Sequence, residues 1–455
     1  MFALGVLIGI AFVLLMAVLF KWVFRSILIR RLTGKDAPLL AWRIMSERQL
    51  DMLLRESLQT MPITPSRSDV RKAVSVLREM RAPHIRNFEA MDAIDEISAF
   101  MVDHGLPHFR PEQIASANPK NHILTSDRPG EYHPFTPPRG PIRFPAEFEP
   151  VSAVLLTWPT QYPIRWVRHA ALAAGISKVA EAHIVVPNAS WAAATMAFLV
   201  DADANFTNIR FICAPSDDLW IRDYGPTMVF AGTGPVFIAN PYVPNGLGFH
   251  RRDNELPVEI ARVYGLPVHR LPIVMEGGNL LSDGAGGVFM CSSVFDHNAD
   301  LDQPELRRIM KAYFGAERLT LLPPMPLENT GHVDIALKFA SLTTAWVTQV
   351  PGNHPWHETL ERVATIVETT HRVERMSIAP LKGGISERCP ANALTVNDTI
   401  FYPGYDRDAD RAAAKSFRAL SPDKALVSVD YCDFGVGGLH CQTKEIPKWS
   451  IAARL

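Results

Sequence analysis

Residues 141–455 read as an α/β domain, and three observations support that reading. Short apolar runs of strand length recur at 151–157, 183–186, 210–213, 235–239 and 288–291. Stretches with helical periodicity lie among them, at 165–183, 191–201, 257–263, 303–314 and 355–370, and strands alternating with helices build an α/β domain. At the ends of the strands, acids, a histidine and a cysteine stand beside glycines.

Composition narrows the function classes. The 455 residues are 47% hydrophobic and 20% charged, enough for a large core. A net charge of -1 argues against a nucleic-acid partner. Cys213, Cys291, Cys389, Cys432 and Cys441 are odd in number and have no CxxC spacing. They suit neither a disulfide framework nor a thiolate zinc knuckle, and they fit a reducing compartment.

Taken in order, the chain opens on an uncharged run from Met1 to Phe20, continued by Trp22, Val23 and Phe24 around Lys21. That is about the length of a transmembrane helix. Arg25, Arg30, Arg31 and Lys35 follow it. The positive flank predicts a single N-terminal membrane anchor over 1–24, with the rest of the chain facing the cytoplasm. Residues 25–140 read as a helical region punctuated by Pro62, Pro65 and Pro83, then a Pro-rich linker from about 116.

The domain then presents four punctuated motifs. Leu219-Trp220-Ile221-Arg222-Asp223-Tyr224-Gly225-Pro226 sets an acid before a Gly-Pro turn. Met275-Glu276-Gly277-Gly278-Asn279 sets an acid before a Gly-Gly turn. In Thr330-Gly331-His332-Val333-Asp334, strand alternation would put His332 and Asp334 on one face. Gly435-Val436-Gly437-Gly438-Leu439-His440-Cys441 delivers a thiol on a glycine-rich turn. Each has a plain structural reading, such as Asp223 pairing with Arg222 or His332 as a core histidine. Together they offer one thiol, one imidazole and three carboxylates.

That inventory fits a planar cation edged with N–H donors. Carboxylates match a guanidinium bidentately, so Asp223 and Asp334 could hold its edges and keep its central carbon electron-poor. Cys441 would attack that carbon, and His332 would protonate the departing ammonia and then activate water. Glu276 would orient His332 or complete the cation site. A metal hydrolase using His332, Asp334, His440 and Cys441 is a second reading. A third is a non-catalytic protein that binds a guanidino ligand.

Phe144-Pro145-Ala146-Glu147-Phe148-Glu149-Pro150, Trp158-Pro159 and these four motifs occur in an order that resembles the agmatine deiminase and Porphyromonas-type peptidyl-arginine deiminase family. The resemblance covers about residues 142–450. It implies the pentein fold of five ββαβ units, and no metal or organic cofactor. It also implies Cys441 as nucleophile, His332 as general acid and base, and Asp223, Glu276 and Asp334 as guanidinium and histidine partners. Trp158, Asn392 near the nucleophile, and Arg251 and Arg252 in a loop that clamps a substrate carboxylate complete the implied binding set. Val436 and Gly438 interrupt the Gly-Gly-Gly-Asn run of the agmatine enzymes. Cytoplasmic placement favours agmatine, converted to N-carbamoylputrescine for putrescine biosynthesis. The Arg251-Arg252 pair favours arginine at a peptide C-terminus, and free arginine is a third substrate.

Overall fold

The computed structural model describes residues 119–449, apart from 161, 163–164, 233, 243–250, 327, 329, 378–390, 405–406 and 431–437. The anchor expected over 1–24 and the helical region up to 118 lie outside the described residues. Among the described residues no helix is long and apolar enough to cross a membrane.

Two short strands, β1 (Tyr132–Pro134) and β2 (Ile142–Arg143), precede the first complete unit. That unit holds β3 (Val151–Thr157), α1 (Trp166–Ser177), β4 (Glu181–Val186), α2 (Ala189–Asp201) and β5 (Ile209–Cys213). A one-turn helix, α3 (Ile221–Tyr224), leads into β6 (Thr227–Ala231), β7 (Gly234–Ala239), α4 (Arg251–Tyr264) and β8 (Val268–Arg270). Next come β9 (Leu281–Ser282), β10 (Gly287–Cys291), α5 (Gln303–Phe314) and β11 (Arg318–Leu322). They are followed by β12 (Leu337–Phe339), β13 (Thr344–Gln349), α6 (His357–Glu368) and β14 (Arg372–Ser377). The chain ends with β15 (Leu394–Val396), β16 (Thr399–Gly404), α7 (Arg407–Leu420), β17 (Ala425–Asp430) and β18 (Thr443–Pro447).

These strands form five sheets built on one plan: an antiparallel pair, a helix, then a strand parallel to the second. The plan is met by β6-β7-β8, β9-β10-β11, β12-β13-β14 and β15-β16-β17. The fifth copy joins the ends of the domain, because β18 runs antiparallel to β3, which pairs in parallel with β4. The ββαβ repeat expected for the domain is therefore present five times.

Local sequence accounts for the elements. Every residue of β3 except Ser152 is buried, so the strand reads as a continuous apolar run. Helix α5 begins where Asp302 accepts the Glu305 N–H, carries proline in its first turn, and ends at Gly315 with φ 67°. Buried side chains then join each unit to the next. Val185, Ile212, Phe237 and Val268 link the first two, and Ile238, Met290 and Leu306 link the second and third. Phe289, Trp346, Ile400 and Phe417 run through the third, fourth and fifth. The circuit closes where Phe401 packs on Gly175 of α1, so closely that a Cβ there would approach the ring to 2.9 Å.

Four expectations are corrected. Helix α1 stops at Ser177 instead of reaching 183, because 181–186 is claimed by β4. Helix α4 starts at Arg251, so Pro257 lies inside it and does not open it. His332 and Asp334 are not on a strand. Gly331 has φ 66°, and the Glu328 carboxylate takes the Thr330 and Gly331 N–H groups, so the chain turns into a 3-10 segment at Val333–Ile335. Residues 119–141, expected to be a linker, open on a 3-10 turn at Pro119–His122 and join the domain, where Ile123 bridges Phe211 and β1 pairs in parallel with β8.

Phe401 is 0% exposed, so Phe401→Ala should lower the unfolding free energy by roughly 3–5 kcal/mol. Denaturant titration measures this, and a loss below about 1 kcal/mol would contradict a closed circuit.

Candidate active site

Each side chain singled out for chemistry lies just before the first strand of a ββαβ unit. Asp223 is in α3 before β6, and Glu276 precedes the Gly277–Asn279 turn before β9. His332 and Asp334 flank the turn before β12, Asn392 precedes β15, and Cys441 precedes β18. Fivefold repetition thus brings together five turns that are far apart in sequence. Backbone bonds lock two of them, since the Arg222 N–H donates to the Cys441 carbonyl at 3.2 Å.

His332 is the hub of one half. Its Nε2 lies 2.6 Å from Glu276 Oε2 and its Nδ1 lies 3.6 Å from Asp223 Oδ1. The Gly278 N–H also donates to Asp223 Oδ1, at 3.1 Å. A Cβ on Gly278 would come within 2.4 Å of His332 Nδ1 and 2.8 Å of Asp223 Oδ1, so glycine is required there. The other half surrounds the thiol. Cys441 Sγ lies 3.3 Å from Asn392 Oδ1, which also accepts the Cys441 N–H, and 3.8 Å from Asp334 Oδ2. Asp334 Oδ1 is buried and has no hydrogen-bond donor among the described residues.

The charges are strongly perturbed. Burial pushes the Cys441 thiol well above its ordinary range, and the negative Asp334 and Asp223 push it further. Burial also raises Asp223, to about 7, against the pull of His332. Burial disfavours the His332 imidazolium, but Asp223 and the bond to Glu276 outweigh it and lift the group to about 10. For Asp334 burial is outweighed by the bond to His440 and its charge, so its carboxyl falls below the usual range. A site with two acids around one imidazolium, and a third acid with an open oxygen, suits a cation rich in N–H donors.

A second layer, which sequence reasoning missed, stands behind Asp334. His440 places Nδ1 2.8 Å from Asp334 Oδ2 and Nε2 2.5 Å from Glu147 Oε1. Glu147 accepts from Lys338 Nζ at 2.9 Å and from Arg222 at 3.2 Å. Arg222 also binds Glu445 Oε2 at 2.6 Å and the His440 carbonyl at 3.1 Å. Arg222 therefore turns away from Asp223, and the expected pairing of the two does not form. The available signal was an ionisable residue within each of two motifs, Glu147 in the 144–150 segment and His440 beside Cys441.

The remaining sequence-predicted positions divide. Asn392 meets the nucleophile as expected. Trp158 is 2% exposed and packs against Trp166, His169 and Phe198, which makes it a core residue. Arg251 and Arg252 are exposed on the first turn of α4 and not in a loop, and Arg252 lies 3.9 Å from Asp217. The metal-site reading loses its ligand set, because His332 is taken by Glu276 while Asp334 and His440 bind each other. Glu147, His440 and Glu445 bring ligand atoms within 4.8 Å of one another, but Arg222 and Lys338 already supply cations to that cluster.

Comparison with known proteins agrees with this geometry. The family described as Porphyromonas-type peptidyl-arginine deiminase matches residues 143–447, from β2 through β18. The agmatine deiminase of Pseudomonas fluorescens is 26% identical over 369 residues, covering 69% of this chain and 97% of that protein. Among solved structures, the agmatine deiminase of Enterococcus faecalis aligns with a TM-score of 0.58 at 20% identity, over 68% of this chain and 96% of its own. The C. jejuni agmatine deiminase aligns with a TM-score of 0.58 at 17% identity, over 68% and 96%. At these identities the solved structures establish a shared fold.

The raised His332 value has a consequence for stability. A group raised from 6.5 to about 10 on folding contributes stability that is fully present below pH 6.5 and lost as pH rises through about 10. The stability advantage of the natural chain over His332→Gln should therefore shrink across that window. Unfolding midpoints in a pH series measure it, and a constant difference would contradict the ion-pair account.

Proposed function

The chain belongs to the Porphyromonas-type peptidyl-arginine deiminase family, and from that premise we propose that it hydrolyses a guanidino C–N bond, with agmatine as substrate. The observation that carries this reading is the open Asp334 oxygen beside a thiol, facing an acid-bound imidazole. The guanidinium donates N–H groups to Asp334 Oδ1 and to Asp223. Its positive charge offsets the two carboxylates that hold the proton on Cys441, so the thiol ionises to solvent as the cation seats.

The thiolate then bonds to the guanidinium carbon. His332, protonated at neutral pH, gives its proton to one nitrogen, which leaves as ammonia. The neutral imidazole next takes a proton from water, and the resulting hydroxide adds to the thiouronium carbon. The C–S bond breaks with its electron pair returning to Cys441 as thiolate, the hydroxyl proton passes to solvent, and the neutral ureido product N-carbamoylputrescine departs, while Glu276 holds the ring in place throughout.

The choice of agmatine is supported by the names of the relatives at family-level coverage. It is also supported by the apolar 1–24 run, uncharged as far as Phe20, and its basic flank, which fit a membrane tether with the catalytic domain in the cytoplasm. Arginine at a peptide C-terminus is the second reading, and it depends on Arg251 and Arg252 receiving the carboxylate.

Ammonia release on agmatine, free arginine and a peptide ending in arginine, run side by side with the full chain, separates these readings. Agmatine should be preferred, and Cys441→Ser should reduce turnover by at least about 10³-fold, the scale for loss of a nucleophile, while agmatine still binds. Preference for the peptide would overturn the substrate assignment. Ammonia release by Cys441→Ser would remove Cys441 as nucleophile.

A further inference from the structure

His440 is adjacent to the reactive cysteine in sequence, and both side chains reach Asp334 Oδ2. Both of its ring nitrogens lie against carboxylates, Asp334 Oδ2 at 2.8 Å and Glu147 Oε1 at 2.5 Å. An ionised carboxylate only accepts hydrogen bonds, so each ring nitrogen lies against an acceptor. Further charged groups stand behind these partners. Glu147 is held by Lys338 Nζ at 2.9 Å and Arg222 at 3.2 Å, and Arg222 is held in turn by Glu445 at 2.6 Å. Lys444 completes the set, with Nζ donating to the Arg222 carbonyl at 3.2 Å.

We propose that His440 is a positioning residue for Asp334. By occupying Oδ2 it fixes the carboxylate plane and leaves Oδ1 as the one acceptor presented to the guanidinium. The inference rests on the preceding reading, in which Asp334 holds that group. Three features support it. Asp334 has one oxygen bonded and the other without a donor among the described residues, although both belong to one buried group. The thiol donates to the same bonded oxygen, Oδ2, at 3.8 Å, so both protein contacts of the carboxylate fall on Oδ2 and Oδ1 is left to the ligand. The anchor behind His440 is itself fixed, because Glu147 takes donors on both oxygens from two different elements, Arg222 of α3 and Lys338 of β12. A side chain locked by such partners holds its functional oxygen within the tolerance that recognition requires.

The test is a thermodynamic cycle in the Cys441→Ser background, with binding of agmatine and of an arginine-terminated dipeptide read by titration calorimetry. His440→Ala should weaken binding by roughly 10- to 100-fold, the scale on which a displacement of about 1 Å acts. In the Asp334→Asn background the same change should cost less than about threefold, because its route to the ligand is already gone. His440→Asn, whose amide can still donate toward Asp334, should recover most of the loss. Glu147→Gln should show the same non-additivity with a smaller effect, and thermal unfolding of each variant confirms that it is folded. An equal loss in both Asp334 backgrounds, or no loss, would overturn the proposal. If Asp334→Asn alone left binding unchanged, the guanidinium reading of the site would fail, and that result is distinct from the failure of His440.

Discussion

The antiparallel pairing of β18 with β3, Thr443 opposite Leu156 through Ile446 opposite Ala153, is the constraint on which the site depends. It uses the last strand to complete the first unit. Without it the Cys441 turn would have no fixed relation to the turns that carry Asp223, Glu276, His332 and Asp334. The bond from the Arg222 N–H to the Cys441 carbonyl is a direct product of that closure. A repeated unit offers the same pre-strand turn five times, and closing the circuit turns repetition into convergence.

Convergence of acids in a buried place costs electrostatic energy, and the site answers it in two different ways. Behind Asp334, carboxylates and cations are interleaved so that Glu147 and Glu445 face Arg222 and Lys338, while the His440 ring bridges Glu147 and Asp334. Each charge there has partners, as buried ions require. On the open side His332 faces Asp223 and Glu276, and the imbalance, added to burial, appears as a raised Asp223 and a raised thiol. A cation relieves that imbalance. The same crowding of acids favours a positively charged ligand, and in the mechanism proposed above it ties nucleophile activation to ligand binding.

Much of this was legible in the chain. Buried strands announce themselves as apolar runs, and the helical periodicity at 303–314 coincides with α5, whose ends the structure marks with Asp302 and Gly315. Asp223, Glu276, His332 and Cys441 stood out because charge or thiol chemistry beside glycine is poor material for a core. What was hidden is long-range. Glu147 and His440 are 293 residues apart, and nothing local to either predicts the other. His332 and Asp334 do share the site, but through a turn set by Gly331 and Glu328, where alternation suggested a strand. Trp158 sits among motifs yet serves packing, since a tryptophan at the end of a buried strand satisfies the core whether or not chemistry lies nearby.

The central claim is that Cys441 becomes covalently attached to the guanidinium carbon. Acid quenching of the full-length protein during its first turnovers on agmatine, followed by mass analysis of the intact chain and its peptides, tests that most directly. The account predicts a transient mass increase equal to the substrate less ammonia, confined to the peptide that contains Cys441. Product formation with no adduct on that peptide at any time would contradict it.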